Sequence, residues 1–291
     1  MALIIDPRIV KLTTRTEVDI KRNLPHAYLR RIGAWVFLDH FGPTARVDGM
    51  VVAAHPHTGL QTVTWPFAGK VDHRDSIGSK QLIEPGQLNL MTAGKGIAHS
   101  EKSLAGPSAL HSVQLWVALP EAVRDMEPTF EHLGNPPALS LEGLEAVVFI
   151  GSLGAVESPA KVFSPLVGAE LKVTGLAKVP INKAWEHGVL VIEGSALING
   201  EQVEKDQLIF LPAGEGALEV SGDSRLLLIG GEPFEEPIVM WWNFIARTSD
   251  EILAMRETWN SQDESYGKFD DEVGGWIPAP ELPNVTLRPR V

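Results

Sequence analysis

A chain of 291 residues, 44% hydrophobic and 21% charged, is long enough for two domains with packed cores. Its net charge of −12 without a basic stripe argues against direct nucleic-acid binding, and no apolar run approaches the ~18 residues of a membrane span. The absence of cysteine excludes disulfides, thiolate metal ligands and cysteine nucleophiles. Together with an N-terminus that lacks a basic segment followed by an apolar one, this leads us to expect a cytoplasmic protein.

Along the chain, a weak helix is expected around 24–32. Short runs rich in Val, Ile, Leu and Trp, bounded by Gly, Pro, Asn or Asp, follow at 60–67, 87–92 and 112–119. The stretch 120–137 carries several prolines without strand alternation and is expected to connect two β domains. Further strand-like runs lie at 146–150, 188–193, 207–211 and 225–229. Many short strands with regular turn signals indicate a sandwich or barrel. Within 196–203, Asn199-Gly200 can supply the two positive φ values of a tight hairpin. Near the end, Thr248 and Glu251 form a capping box for a helix at 249–259, with Ile252, Met255 and Trp259 on one face.

The halves echo each other. Phe67-Ala68-Gly69 answers Ile192-Glu193-Gly194, and Pro85-Gly86-Gln87-Leu88 answers Lys205-Asp206-Gln207-Leu208, which suggests a duplicated barrel. From 232 to 272 there are eleven acidic and three basic residues, about two-thirds of the net charge. A solvated acidic face explains this stretch more simply than a docking surface for a basic partner.

The chemistry concentrates in two short pairs, His55-Pro56-His57 and His99-Ser100-Glu101. Residues two apart on a strand point to one face, so two neighbouring strands could converge four side chains on one point. Three imidazoles and a carboxylate suit a divalent first-row transition metal. Gly94-Lys95-Gly96 lacks the rest of a phosphate loop and is read as a tight turn before His99. His40 and His73 are expected to be structural or to orient a ligand, and His111 and His132 carry no ligand signal of their own. His187 is the one histidine after residue 151, so the second half is expected to be metal-free. Trp65 and Trp116 flank the ligand pairs, and core packing is the default for both.

These residues resemble the pirin family, a branch of the cupins. The matching segments are 38–43 (Leu38-Asp39-His40-Phe41-Gly42-Pro43), 55–64, 73–76 (His73-Arg74-Asp75-Ser76) and 85–101, continuing through Val113-Gln114-Leu115-Trp116-Val117. Looser matches are Gly230-Gly231-Glu232-Pro233 and the helix start at Ser249. The resemblance implies an all-β bicupin, two stacked antiparallel cupin-type β-barrels with a short C-terminal helix. It implies a metal-binding barrel over 1–135 and a metal-free one over 136–291. It also implies one Fe(2+) per chain, bound by His55, His57, His99 and Glu101, although this donor set accepts other divalent transition metals.

The family includes members that cleave quercetin with dioxygen. The implied activity is therefore a quercetin 2,3-dioxygenase-like oxidoreduction of a small aromatic chelating substrate such as a flavonol, with Glu101 taking the 3-hydroxyl proton. The alternative is an iron-dependent redox-sensing regulator that binds a protein partner. A deep apolar pocket above His57 would favour the first, an occluded metal the second. The sequence departs from the wider pattern at Gln61, where cupins often carry a fourth-ligand Glu, and at Ala68, where Glu often precedes the glycine.

Overall fold

The computed structural model describes residues 2–11, 19–43, 50–104, 109–214, 218–267 and 274–290. Its strands pair antiparallel throughout the four larger sheets, two to each half. In the first half a seven-stranded sheet runs in the order Thr129–Leu133, Leu88–Thr92, Leu60–Ala68, His111–Ala118, Trp35–Phe41, Asp19–Leu24, Arg8–Lys11. A four-stranded sheet, Val51–His57, Ile97–Ser103, Val71–Asp75, Lys80–Ile83, closes the barrel. The second half repeats the plan with an eight-stranded and a four-stranded sheet. This is the all-β, two-barrel architecture that the motifs implied, and the helix Ser249–Asn260 follows it.

Period-two alternation explains why one barrel has a polar interior and the other does not. In the second half, Val189, Val191, Leu226 and Leu228 fill the barrel's own core. Their neighbours Leu190, Ile192, Leu227 and Ile229 face the other way, into a core shared with the first half. There Trp65 stacks on Phe149 with ring centroids 4.7 Å apart, and its indole N–H donates to Glu170 at 2.8 Å. Trp65 is thus a core residue, fully buried between the barrels. In the first half Val63, Trp65, Val113 and Leu115 fill that shared core, while Thr64 and Gln114, hydrogen-bonded to each other at 2.9 Å, face inward. A barrel lined with Val and Leu is a packed core; one lined with Thr, Gln, His and Glu can hold a site.

The local signals are realised. Asn199 and Gly200 have φ of 49° and 84° between the strands Ala196–Ile198 and Glu201–Val203. The capping box of Thr248 and Glu251 is formed, and Ile252 and Trp259 are buried. The echo extends to atoms: the amide of Glu84 donates to the Gln87 side chain at 3.0 Å, and that of Glu204 to Gln207 at 2.9 Å.

Two expectations are corrected. The segment 24–32 is not helical: the strand Asp19–Leu24 runs up to Pro25, whose ring disfavours helical backbone at the residue before it, and a turn from His26 to Leu29 follows. The stretch 120–137 is more than a connection, because Thr129–Leu133 adds an edge strand to the first large sheet, with Phe130 opposite Met91. Sheet membership also crosses the division near residue 135 at both ends of the chain. Leu3–Ile5 pairs with Leu208–Leu211 of the second half, and Trp276 and Phe244 bridge back to Ala54 and Thr58 of the first. Residues 268–273 of the acidic stretch lie outside the described residues. No described helix is long and apolar enough to cross a membrane.

Candidate metal centre

Both ligand pairs lie on adjacent antiparallel strands, with His99 opposite His55 and Ile97 opposite His57. The register shifts between His99 and Glu101, whose partners are His55 and Val52, so the strand carrying His55 bulges at Ala53-Ala54. The bulge turns the Ala53 carbonyl towards the ring of His55, which donates Nδ1–H to it at 2.9 Å. That bond leaves the His55 Nε2 lone pair free to face the other ligands.

His55, His57 and His99 converge, with their ligand nitrogens all within 4.8 Å of one another. Glu101 joins through His99, and the same 4.8 Å limit groups it with His99 and His73. All five side chains are buried. Burial, with mutual repulsion among neighbouring rings, pushes His57 and His99 well below the ordinary histidine pKa, and burial brings His55 down to about 4. The rings are therefore neutral at pH 7, the state a metal requires. Burial raises the Glu101 carboxyl, against which the neighbouring His73 ring and a long 3.4 Å hydrogen bond from Thr64 act only in part.

The nitrogen spacing fits an ion. His57 Nε2 and His99 Nε2 face each other at 3.1 Å. Two metal–nitrogen bonds of ~2.1 Å at a right angle would place their nitrogens about 3.0 Å apart.

His73, read from sequence as at most an orienting group, is brought against His99, with their Nδ1 atoms 3.4 Å apart. On its other side His73 Nε2 lies 3.3 Å from Asp75 Oδ2. One proton assignment satisfies the chain: His99 Nδ1–H donates to His73, and His73 Nε2–H donates to Asp75. Asp75 is a competent terminus. Burial raises its carboxyl, but hydrogen bonds from His73 and Ser79 outweigh this and hold it below the usual range. The assignment leaves His99 Nε2 unprotonated, facing His57.

Above the ligands lies a cavity of about 250 Å³, walled by Phe37, Trp116 and Trp242 as well as His55, His57 and Glu101. Phe37 and Trp116 stack with centroids 3.9 Å apart, and Trp116 meets the His57 ring edge-on at 5.2 Å. Arg22 lies 4.4 Å above Phe37 and grips Asp39 through two 2.7 Å hydrogen bonds. Trp116 is therefore a cavity wall as well as a packing residue.

Trp242 had no sequence signal beyond the Trp241-Trp242 doublet. It sits at the tip of the hairpin Val239–Trp241 and Phe244–Ala246 with φ of 51°, a conformation that bulky residues rarely adopt. Strain of this kind collects where a side chain is held for a purpose.

The remaining sequence candidates fall elsewhere. Gln61 turns away and donates to Thr92 at 2.9 Å and to the Lys161 carbonyl at 3.1 Å. His40 and His111 pair with each other at 2.8 Å, and His132 bonds Asn89. His187 is buried in the second half. Gly94 does make the tight turn before His99: its φ is +52°, and a Cβ there would sit 2.0 Å from the Met126 carbonyl oxygen.

Comparison with known proteins agrees with this geometry. A family model described as Pirin matches residues 17–117, and one described as Pirin C-terminal cupin domain matches 166–264. A Pseudomonas aeruginosa protein named "putative quercetin 2,3-dioxygenase" is 39% identical over 272 residues, covering 91% of this chain and 86% of the relative. A pirin-like protein of Caulobacter vibrioides is 34% identical over 276 residues, covering 90% and 94%. The crystal structure of a quercetin 2,3-dioxygenase from Acinetobacter baumannii superposes with a TM-score of 0.94 at 42% identity, over 99% of this chain and 97% of that one.

Proposed function

Because the chain belongs to the pirin family of two-barrel cupins, we propose that it holds one divalent transition-metal ion, natively iron, and cleaves a quercetin-type flavonol with dioxygen. His55, His57, His99 and Glu101 would hold the ion. The observation that carries this reading is the convergence of three neutral imidazoles, two of which, His55 and His57, line an aromatic-walled cavity together with Glu101.

When bound, the ion supplies a redox-active Lewis acid with positions open to small ligands. The protein's own residues do the rest. Three neutral donors and one carboxylate leave a divalent site with about one positive charge, which favours an anionic chelating substrate. A flavonol that has lost its 3-hydroxyl proton is such a substrate, since its 3-oxygen and 4-carbonyl chelate together. Glu101 is the base that takes this proton. Asp39, the other carboxylate on the cavity wall, is committed to the fork of Arg22. Trp116 and Trp242 offer apolar surface to the rings of the substrate, Phe37, held between Trp116 and Arg22, backs Trp116, and together they keep water from the reacting atoms.

The cavity favours this reading over the regulatory one, which called for an occluded metal. Its volume lies just under the ~300–1,000 Å³ usual for small-molecule sites. Aerobic incubation of the iron-loaded protein with quercetin is the test. Loss of flavonol absorbance with release of carbon monoxide is expected, and an iron-loaded protein that leaves quercetin intact would exclude the proposal.

A further inference from the structure

A second cavity, of about 360 Å³, lies on the other side of the strand Trp35–Phe41, which sends Phe37 to the metal cavity and Val36 to this one. Its walls include Val36, Ile238, Val239 and Met240 and carry four arginines: Arg30, Arg31, Arg288 and Arg290. The chain has thirteen arginines and a net charge of −12, so four on one small cavity run against its overall charge.

Several guanidinium groups elsewhere are matched to acids, Arg22 to Asp39, Arg124 to Glu251, Arg225 to Glu170 and Arg247 to Glu236, while Arg8 and Arg256 bond backbone carbonyls. In this cavity three of the four are not matched to an acid. Arg31 donates to the Glu236 carbonyl at 3.1 Å, with Glu186 the acid whose charge reaches it. Arg30, Arg288 and Arg290 make no ion pair with a carboxylate among the described residues. Guanidinium groups that line one cavity without carboxylates of their own leave their N–H groups available to an anion. The planar guanidinium fork matches carboxylate and phosphate oxygens. Apolar walls with a few convergent polar groups, at this volume, are the usual make-up of a small-molecule site.

The two ends of the cavity wall come from distant parts of the chain. Arg290 is fixed by paired backbone bonds with Ile238, 3.0 and 2.9 Å long, which bring the C-terminal segment against Arg30 and Arg31. We propose that this cavity binds a small amphiphilic anion, with one carboxylate or phosphate held by the arginines and a short apolar body laid against the apolar lining.

The test is calorimetric titration of the purified full chain with octyl phosphate, octanoate, octanol and inorganic phosphate. One octyl anion should bind per chain, and the tighter of the two identifies the head group. Octanol and inorganic phosphate should each bind at least about tenfold more weakly, since each lacks half of the recognition. Arg30 and Arg288 are exposed, so Arg30→Glu/Arg288→Glu should fold, as circular dichroism would verify, and should abolish binding; Arg288→Glu alone should weaken it at least about tenfold. Glu101→Gln should leave the affinity unchanged. The proposal is overturned if neither octyl anion binds, if octanol or inorganic phosphate binds as tightly, or if both charge-reversed variants keep the affinity. A change of affinity in Glu101→Gln, in either direction, overturns it too, by placing the anion in the metal cavity.

Discussion

Replacing Asp75 with Asn should weaken metal binding without touching any of the four proposed ligands. Asp75 is buried; its Oδ1 accepts the amides of Ile77 and Ser79 at 3.1 and 2.8 Å, and its Oδ2 faces His73 Nε2 at 3.3 Å. The side chain of Asn must keep its oxygen on the two amides, which can only donate, so its NH₂ turns to His73. Two donors then face each other unless His73 moves its proton to Nδ1. That proton points at His99 Nδ1, which must become the acceptor, and the His99 proton is displaced to Nε2, the atom 3.1 Å from His57. Binding a metal through His99 Nε2 then requires restoring the donor–donor clash, at the cost of an unsatisfied buried group, about 1–3 kcal/mol. Removing partners that orient a metal-bound histidine typically costs ~10–100-fold in affinity, or about 1.4–2.7 kcal/mol, so two independent routes agree. Titration of the metal-free chain with Zn²⁺ measures the affinity, and ¹⁵N NMR of the imidazoles reads the tautomers. An Asp75→Asn protein that binds Zn²⁺ as tightly as the parent, with His99 Nε2 still unprotonated, would refute the relay.

Glu101→Gln should leave the metal-free barrel at least as stable, because it removes a buried carboxyl whose pKa burial has raised, while iron affinity falls at least about tenfold and flavonol cleavage is lost. Urea unfolding, metal titration and quercetin turnover check the three parts, and full turnover in the variant would remove Glu101 from the mechanism. Acidification should destabilise the metal-free chain. His55, His111 and His187 have folded pKa values held at about 4, 3 and 4 by burial, below the ordinary 6.5, so their contribution is fully present above pH 6.5. It is lost as the pH falls towards these folded values, because the unfolded chain takes up the protons first. These three groups alone give a slope of up to ~4 kcal/mol per pH unit between about pH 5.5 and 4.5, to which the buried His57 and His99 add; urea unfolding measures it, and His187→Asn should reduce it by up to ~1.4 kcal/mol per pH unit. Trp242→Gly should relieve the positive φ while removing a cavity wall, so stability should change by less than ~1 kcal/mol while the KM for flavonol rises several-fold. An unchanged KM would mean that the strained indole has no part in substrate binding.

Much of this protein is determined locally. The Asn199-Gly200 hairpin, the Thr248–Glu251 cap and the Gly94 turn each depend on backbone preferences within a few residues, and all three are present in the fold. The two ligand pairs were legible for the same reason, since a strand's period of two puts His55 with His57, and His99 with Glu101, whatever lies around them. The tertiary structure alone decided how the pairs meet: the antiparallel registers on the two sides of one strand set His99 against His55 and Glu101 against His73. It alone brought His73 and Asp75 behind His99, carried Trp242 from the other half of the sequence over the cavity, and set Arg288 and Arg290 beside Arg30 and Arg31. The segment 24–32 shows the converse, where a faint helical pattern yields to one proline and the pull of a neighbouring sheet. Periodicity reports which face a residue occupies within its own element; which faces confront each other depends on loop closure and burial over the whole chain, and no local pattern encodes that.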